Sequence, residues 1–312
     1  MCLLQVLTGA NDVMELWRPP RQRLTWEPNG TWEERVSEPY KTILIEREPE
    51  GVTFVILNRP EKRNAMSPQL HREMCEALDT LETEDATKIV VITGAGESFS
   101  AGQDIKLYFR STEDDPKARA AARHDSHHWR WEKLSKFPKP TIAMVNGYCF
   151  GGAFTPLCAC DFAIAADEAV FGLSEVNWGI LPGGIVGWNV AQVMSYRDAL
   201  YYACTGETFN GEQASAMRLV NFSVPRADLK AATLKFARLL LTKSPAAIRY
   251  TKECIRAVRK MDVAQAADYL NAKSDALRFR DPEKGRAEAT KQFLDDKTFK
   301  PGLQAYKRKK TG

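Results

Sequence analysis

The chain has 312 residues, and 44 Lys and Arg against 40 Asp and Glu leave a net charge of +4. With 27% charged and 44% hydrophobic residues it is not a disordered, collagen-like or coiled-coil sequence. A pI near 8.6 admits a small anionic ligand. It lacks the concentrated basic footprint of a nucleic-acid binder, so no nucleic-acid partner is expected.

Residues 1–38 carry Trp17, Pro19, Pro20, Trp26, Pro28 and Trp32 without a period and read as an irregular arm. From Lys41 onward, TILIERE and VTFVILN alternate around Glu50-Gly51 as a hairpin. Ser67-Pro68 forms a helix cap, followed by Leu70, Met74, Leu78 and Leu81 at helical spacing. KIVVITGAG then reads as a strand, 115–136 as a helix, TIAMVNGYC as a strand, Gly151-Gly152 as a helix start and DFAIAAD as a third strand. That alternation predicts the α/β class with a mainly parallel sheet. Beyond Trp188 the signals are helical, over 197–204, 211–219, 226–243, 245–259, 263–278 and 283–295. The expected division is an arm at 1–38, a catalytic core at 39–229 and a helical region at 230–312.

The seven cysteines are odd in number and show no metal-ligand or CxxC spacing. A reduced, cytoplasmic chain is the simplest reading. The best candidate for a membrane span, Phe150 to Phe171, is interrupted by Asp161, Asp167 and Glu168. The start of the chain lacks a basic region and carries Asp12 and Glu15, unlike a secretory signal. No membrane partner is expected.

Several familiar motifs fail. Gly94-Ala95-Gly96 follows a strand, but the third glycine of a dinucleotide fingerprint falls at Phe99. There is no phosphate-binding loop and no nucleophile elbow. His124 and His128 are four apart beside Asp125 and His127, yet nothing supplies a third ligand; no metal is expected, and the segment reads as a solvated helix face. Two glycine turns say more. Ser98–Ile105 and Gly147–Gly152 each follow a strand at the carboxyl edge of the presumed sheet, where open α/β folds bind ligands. Either turn alone reads equally well as a glycine needed for packing. Together, two converging backbone amides would form an oxyanion hole. Glu175 lies among Phe171, Leu173, Val176 and Trp178, surroundings that raise a carboxyl pKa and suit it to proton transfer.

The strings NRPEKRNAMS (58–67), SAGQDIK (100–106), NGYCFGGAF (146–154), CDFAIAADEAVFGLSEVNWGILPGG (160–184) and TGETFNGEQASAMRLVN (205–221), in this order, resemble the crotonase, or enoyl-CoA hydratase/isomerase, superfamily over roughly residues 40–310. Within it, VILNRPEKRNAMSP, Trp129-x-Trp131, FGLSEVNWGI and KQFLDDKTFKPGLQAYKR are most similar to hydroxycinnamoyl-CoA hydratase-lyases. The resemblance implies a ββα superhelix with a C-terminal helical trimerisation region, as a homotrimer or a dimer of trimers. It implies a hydroxycinnamoyl-CoA thioester as substrate and no separate cofactor, since CoA enters with the substrate.

Carried over residue by residue, the family's oxyanion amides fall on Gln103 and Gly152, and its acid/base glutamate falls on Glu175. Thr155 stands where ordinary hydratases have their other glutamate and the hydratase-lyases a serine. Two ring-contacting tyrosines correspond to Tyr108 and Asn271, the latter a departure. Gln103, in place of methionine, is another. CoA contacts are implied at Lys62, Arg63, Ala65, Ala101, Asp104, Ile105 and Lys297. The expected reaction is hydration of feruloyl-, p-coumaroyl- or caffeoyl-CoA followed by retro-aldol cleavage to an aromatic aldehyde and acetyl-CoA. The alternatives are a hydratase that stops at the β-hydroxy thioester and a binding protein built on the same fold.

Overall fold

The computed structural model describes residues 40–308; the expected arm at 1–38 lies outside them. β1 (Ile43–Arg47) and β2 (Val52–Leu57) form the antiparallel hairpin, with Ile43 opposite Leu57. Helix α1 (Pro68–Thr83) starts as its sequence dictates. The Ser67 hydroxyl accepts the Leu70 amide, Pro68 occupies a position that needs no donor, and Leu70, Met74, Leu78 and Leu81 are buried.

β3 (Ile89–Gly94), buried throughout, is followed by the three-residue β4 (Ser98–Ser100). The expected helix at 115–136 is α2 (Pro116–His127), a π-helical turn at His128–Lys133 and the short α3 (Leu134–Lys136). β5 (Thr141–Val145), β6 (Tyr148–Phe150), α4 (Phe154–Ala159), β7 (Phe162–Ala166) and β8 (Val170–Gly172) complete the strand-rich part. Then come α5 (Val186–Val193), α6 (Tyr196–Thr205), β9 (Thr208–Asn210), α7 (Gly211–Ala216) and β10 (Phe222–Val224). The tail is α8 (Leu229–Leu241), α9 (Pro245–Val258), α10 (Val263–Arg280) and α11 (Gly285–Leu294).

The large sheet has the order β1-β2-β3-β5-β7-β10 and is parallel except for the hairpin. Its central strands β3, β5 and β7 are near-continuous apolar runs, as expected where both faces are covered. A second sheet, β4-β6-β8-β9, was not expected from the sequence. Its strands have three residues each, too few for a period of two to register. For the same reason β9 and β10 lie unmarked in the gaps between the helices expected at 197–204, 211–219 and 226–243. No described helix is long and apolar enough to cross a membrane.

One buried ion cluster joins sheet to tail. The Asp161 carboxylate, 5% exposed, accepts from the Thr141 amide and hydroxyl, from Lys252 Nζ and, at 3.1 Å, from Arg256 Nη2. Lys252 also donates to the carbonyls of Phe137 and Lys139. Desolvation lowers the Lys252 pKa despite this pairing. Removing one member strands the others in an apolar setting. Asp161→Ala is expected to lower unfolding free energy by about 3–5 kcal/mol in urea titrations; a change below 1 kcal/mol, the range of a surface pair, would contradict the assignment.

Candidate functional site

The small sheet places the site. β4, β6 and β8 run parallel and adjacent, pairing Ser98 with Tyr148, Cys149 with Phe171 and Phe150 with Gly172. The segments leaving their carboxyl ends are therefore neighbours: Ala101–Asp104, Gly151–Gly152 and the turn Ser174–Trp178.

After β4 the chain zips against the loop before α1. The Ala101 amide donates to Arg63 O, the Met66 amide to Gly102 O at 2.8 Å and the Asp104 amide to Met66 O at 3.0 Å. With the Gly102 carbonyl turned to Met66, the trans peptide points the Gln103 N–H the opposite way. Gly102 has φ +89°, and a Cβ there would lie 2.7 Å from Phe150 O, so glycine is required. After β6, the Phe154 amide donates to the carbonyls of Gly151 and Gly152, which turns the Gly152 N–H outward in the same manner. A Cβ on Gly102 would sit 3.1 Å from Gly152 N, and one on Gly152 3.4 Å from Gln103 N. The two amides converge, and among the described residues neither donates to a backbone acceptor.

Glu175 comes off β8 onto the same place. A Cβ on Gly151, itself at φ +50°, would lie 3.2 Å from Glu175 Oε1. Burial raises the Glu175 pKa, and its Oε2 is buried without a hydrogen-bond partner. Thr155, buried one turn after Gly152 at the start of α4, likewise has an unpartnered Oγ1. Two donors aimed outward, a desolvated carboxyl and a free hydroxyl suit a reaction that builds negative charge on a carbonyl oxygen while moving one proton.

Behind the amides lies a buried polar wall that the sequence reading missed. Trp129 Nε1 donates to His71 Nδ1 at 2.8 Å, and His71 Nε2 meets Gln103 Oε1 at 2.8 Å. Indole only donates, so the neutral ring carries its proton on Nε2 and gives it to the Gln103 oxygen. The reversed amide would aim Nε2 of Gln103 at that same ring proton. Gln103 Nε2 donates to Ser126 Oγ at 2.9 Å, and Arg130 donates to Ser126 O and Gly152 O. Burial, with the Arg130 charge adding to it, depresses the His71 pKa to about 3. No sequence signal marked these residues except the burial of position 71 on the apolar face of α1 and the Trp129-x-Trp131 pair.

Of the other expected residues, Tyr108 is half-buried with its ring 5.5 Å from His71, edge to face, on a π-helical turn Ile105–Phe109. Lys62 and Arg63 are exposed, and the Arg63 guanidinium stacks 5.0 Å over Tyr148. The zipper brings Arg63 beside Ala101 and Met66 beside Gly102 and Asp104, with Lys62 and Ala65 flanking Arg63 and Ile105 following Asp104. Asp104 is in the same zipper, but its carboxylate is occupied by Arg59 at 2.9 Å and by the Leu107 amide. Lys297 is exposed after α11, and Asn271 is exposed on α10, a helix with no buried residue that packs on α9. Neither side chain makes a hydrogen bond among the described residues, and nothing within one chain joins them to the converging amides. His124 and His128 stack at 5.8 Å near Asp125 and Glu132 on an exposed face. The thiols of Cys149 and Cys160, though close to this region in sequence, are pushed up by burial, Cys160 to about 12, and are no nucleophiles at neutral pH.

The profile of the enoyl-CoA hydratase/isomerase family matches residues 47–311. A hydroxycinnamoyl-CoA hydratase-lyase of Pseudomonas fluorescens is 53% identical over 270 residues, covering 86% of this chain and 98% of that protein. A probable enoyl-CoA hydratase of Mycobacterium bovis is 32% identical over 74% of this chain and 87% of its own length. Among solved structures, an enoyl-CoA hydratase from Bacillus anthracis superposes with a TM-score of 0.75 at 28% identity, covering 82% of this chain and 97% of that one.

The buried neutral His71 has a measurable consequence. Its pKa is about 3 in the fold and 6.5 ordinarily, so below pH 6.5 the unfolded chain takes up a proton that the native state refuses. Stability attributable to this site is intact above pH 6.5 and is lost as pH falls from 6.5 toward 3, about 2 kcal/mol by pH 5. Urea midpoints at pH 7 and pH 5 should therefore separate more for the native sequence than for His71→Gln. Equal pH dependence in the two proteins would contradict a neutral His71.

Proposed function

The chain belongs to the enoyl-CoA hydratase/isomerase family, and from that premise we propose that it hydrates a 4-hydroxycinnamoyl-CoA and cleaves the product to an aromatic aldehyde and acetyl-CoA. The observation that carries this reading is the convergence of two free amides, Gln103 and Gly152, on a desolvated Glu175. The high identity to the Pseudomonas fluorescens hydratase-lyase along nearly its full length supports the choice within the family.

In this reading the thioester oxygen accepts hydrogen bonds from Gln103 N–H and Gly152 N–H. Glu175 takes a proton from water as the water oxygen bonds to the β-carbon, and the double-bond electrons move onto the thioester oxygen as an enolate. Glu175 then returns the proton to the α-carbon. For cleavage, the β-hydroxyl proton passes to Glu175, the Cα–Cβ bond breaks, the aldehyde leaves, and the electron pair remains as the acetyl-CoA enolate in the same oxyanion hole. Protonation from Glu175 ends the cycle. Each amide of such a hole contributes roughly 10²–10³-fold in rate. Thr155 Oγ1, unpartnered, is suited to hold the water or the β-hydroxyl.

The zipped loops with Lys62, Arg63, Ala65, Ala101 and Ile105 are proposed to carry the CoA moiety, with Lys297 as a further cationic contact, and Tyr108 to meet the aromatic ring. Asp104 fits better as the brace of the loop, since Arg59 and Leu107 occupy its carboxylate. The exposed apolar residues of the tail, such as Val263, Phe279 and Leu303, support association of copies as a trimer or a dimer of trimers. Asn271, on that tail, belongs with the assembly. An amide there cannot supply phenol acidity, which favours as second reading a hydratase that stops at the β-hydroxy thioester. Cytoplasmic location is proposed on the cysteine usage alone.

Incubation with feruloyl-CoA followed by chromatography is expected to yield vanillin and acetyl-CoA; accumulation of hydrated thioester without aldehyde supports the second reading, and no turnover of any enoyl-CoA contradicts both. Glu175→Gln should lower kcat by roughly 10²–10⁴-fold with little change in thioester binding. Because burial holds the Glu175 pKa above the ordinary 4.5, and water activation needs the ionised form, kcat/KM should fall as pH drops through a value above 4.5. An acid limb at or below 4.5 would contradict the role.

A further inference from the structure

Arg130 is buried, 8% exposed, on the π-helical turn before α3. Its Nε donates to Ser126 O at 2.9 Å and its Nη1 to Gly152 O at 3.0 Å. Among the described residues no carboxylate pairs with it. A Cβ on Gly152 would lie 3.4 Å from Nη1 and equally 3.4 Å from Gln103 N, so this charge sits close to the Gly152 backbone on which the Gln103 amide converges.

Both carbonyls that Arg130 serves stand in a backbone that does not need it for pairing. Gly152 O also accepts from the Phe154 amide, and Ser126 lies in a helix that continues into the next turn. Burying a guanidinium without a counter-charge is costly, and folds that keep one for structure alone normally pair it. The charge has a fixed direction in a dry setting, where a positive field strengthens stabilisation of a developing anion.

We propose that Arg130 is a positioning residue that holds the Gly152 carbonyl, one peptide on from the Gly152 N–H, and presents the thioester enolate with an unpaired positive charge completed only when that anion forms. This rests on the reading of Gln103 and Gly152 as the oxyanion donors. Gln103 takes part on the other side, since its side chain is pinned between His71 and Ser126, which holds the donor loop against the same wall.

The test isolates enolate formation from aromatic specificity. In deuterium oxide, acetyl-CoA loses a methyl proton to Glu175 while the C–H electrons move onto the thioester oxygen; Glu175 exchanges with solvent and returns a deuteron. Exchange is followed by NMR for the native sequence, Arg130→Met and Arg130→Lys, with melting temperatures measured alongside. Arg130→Met is expected to slow exchange at saturation roughly 10- to 100-fold, with KM within about threefold of native and the melting temperature unchanged or raised. Arg130→Lys, which keeps the charge, should recover part of the rate. Native-like exchange in Arg130→Met, failure of that variant to fold, a loss that tracks a fallen melting temperature, or equal rates in the Met and Lys variants would each overturn the proposal. If the native protein shows no exchange, the thioester-enolate reading itself fails, whatever the variants do.

Discussion

The site depends on one constraint, the parallel alignment of β4, β6 and β8. Three strands of three residues are poor structures by themselves, since so short a sheet holds few hydrogen bonds. They are held because Phe99, Cys149 and Phe171 are completely buried, one from each strand. A shift of one residue in this register would turn those side chains out of the core. It would also separate the Gln103 amide, the Gly152 amide and Glu175, which reach a common point only because their strands end side by side.

Around that geometry the electrostatics are consistent in sign. On the proposed reading the anion meets backbone amides with a buried guanidinium nearby, while His71 is held neutral and burial pushes Glu175 toward its protonated form. An enolate oxygen entering the site finds positive ends of dipoles and one positive charge. The Glu175 carboxyl, proposed to give and take the proton, sits on the Gly151 side of the turn, beside the converging amides and separate from their hydrogen-bonded wall. Unpartnered oxygens on Thr155 and Glu175 are tolerable in such a place because a polar substrate or water completes them.

Much of this was legible in the sequence, for physical reasons. The hairpin, α1 and the strands β3, β5 and β7 of the large sheet carry periodic or continuous apolar runs, and Ser67-Pro68 marks a helix start. The two glycine turns stood out because they recur as a pair at the carboxyl edge of the sheet, and Glu175 because its neighbours are apolar. The second sheet was invisible because three residues cannot show a period. The His71–Gln103–Ser126–Arg130 wall was invisible because its members are 23 to 32 positions apart where they touch across elements, and a histidine in an amphipathic helix carries no mark of its partner. Asp104 was read as a ligand contact from its motif, while its carboxylate braces the loop through Arg59.

On the proposed reading, Gln103 N–H and Gly152 N–H together polarise a thioester carbonyl. That reading is tested most directly by the isotope-edited infrared carbonyl band of a cinnamoyl-CoA thioester bound to Glu175→Gln protein, in which turnover is blocked. The account predicts a band moved to lower frequency than that of the free thioester in water, because two fixed donors outdo hydration. A bound thioester whose carbonyl band is unshifted would contradict it.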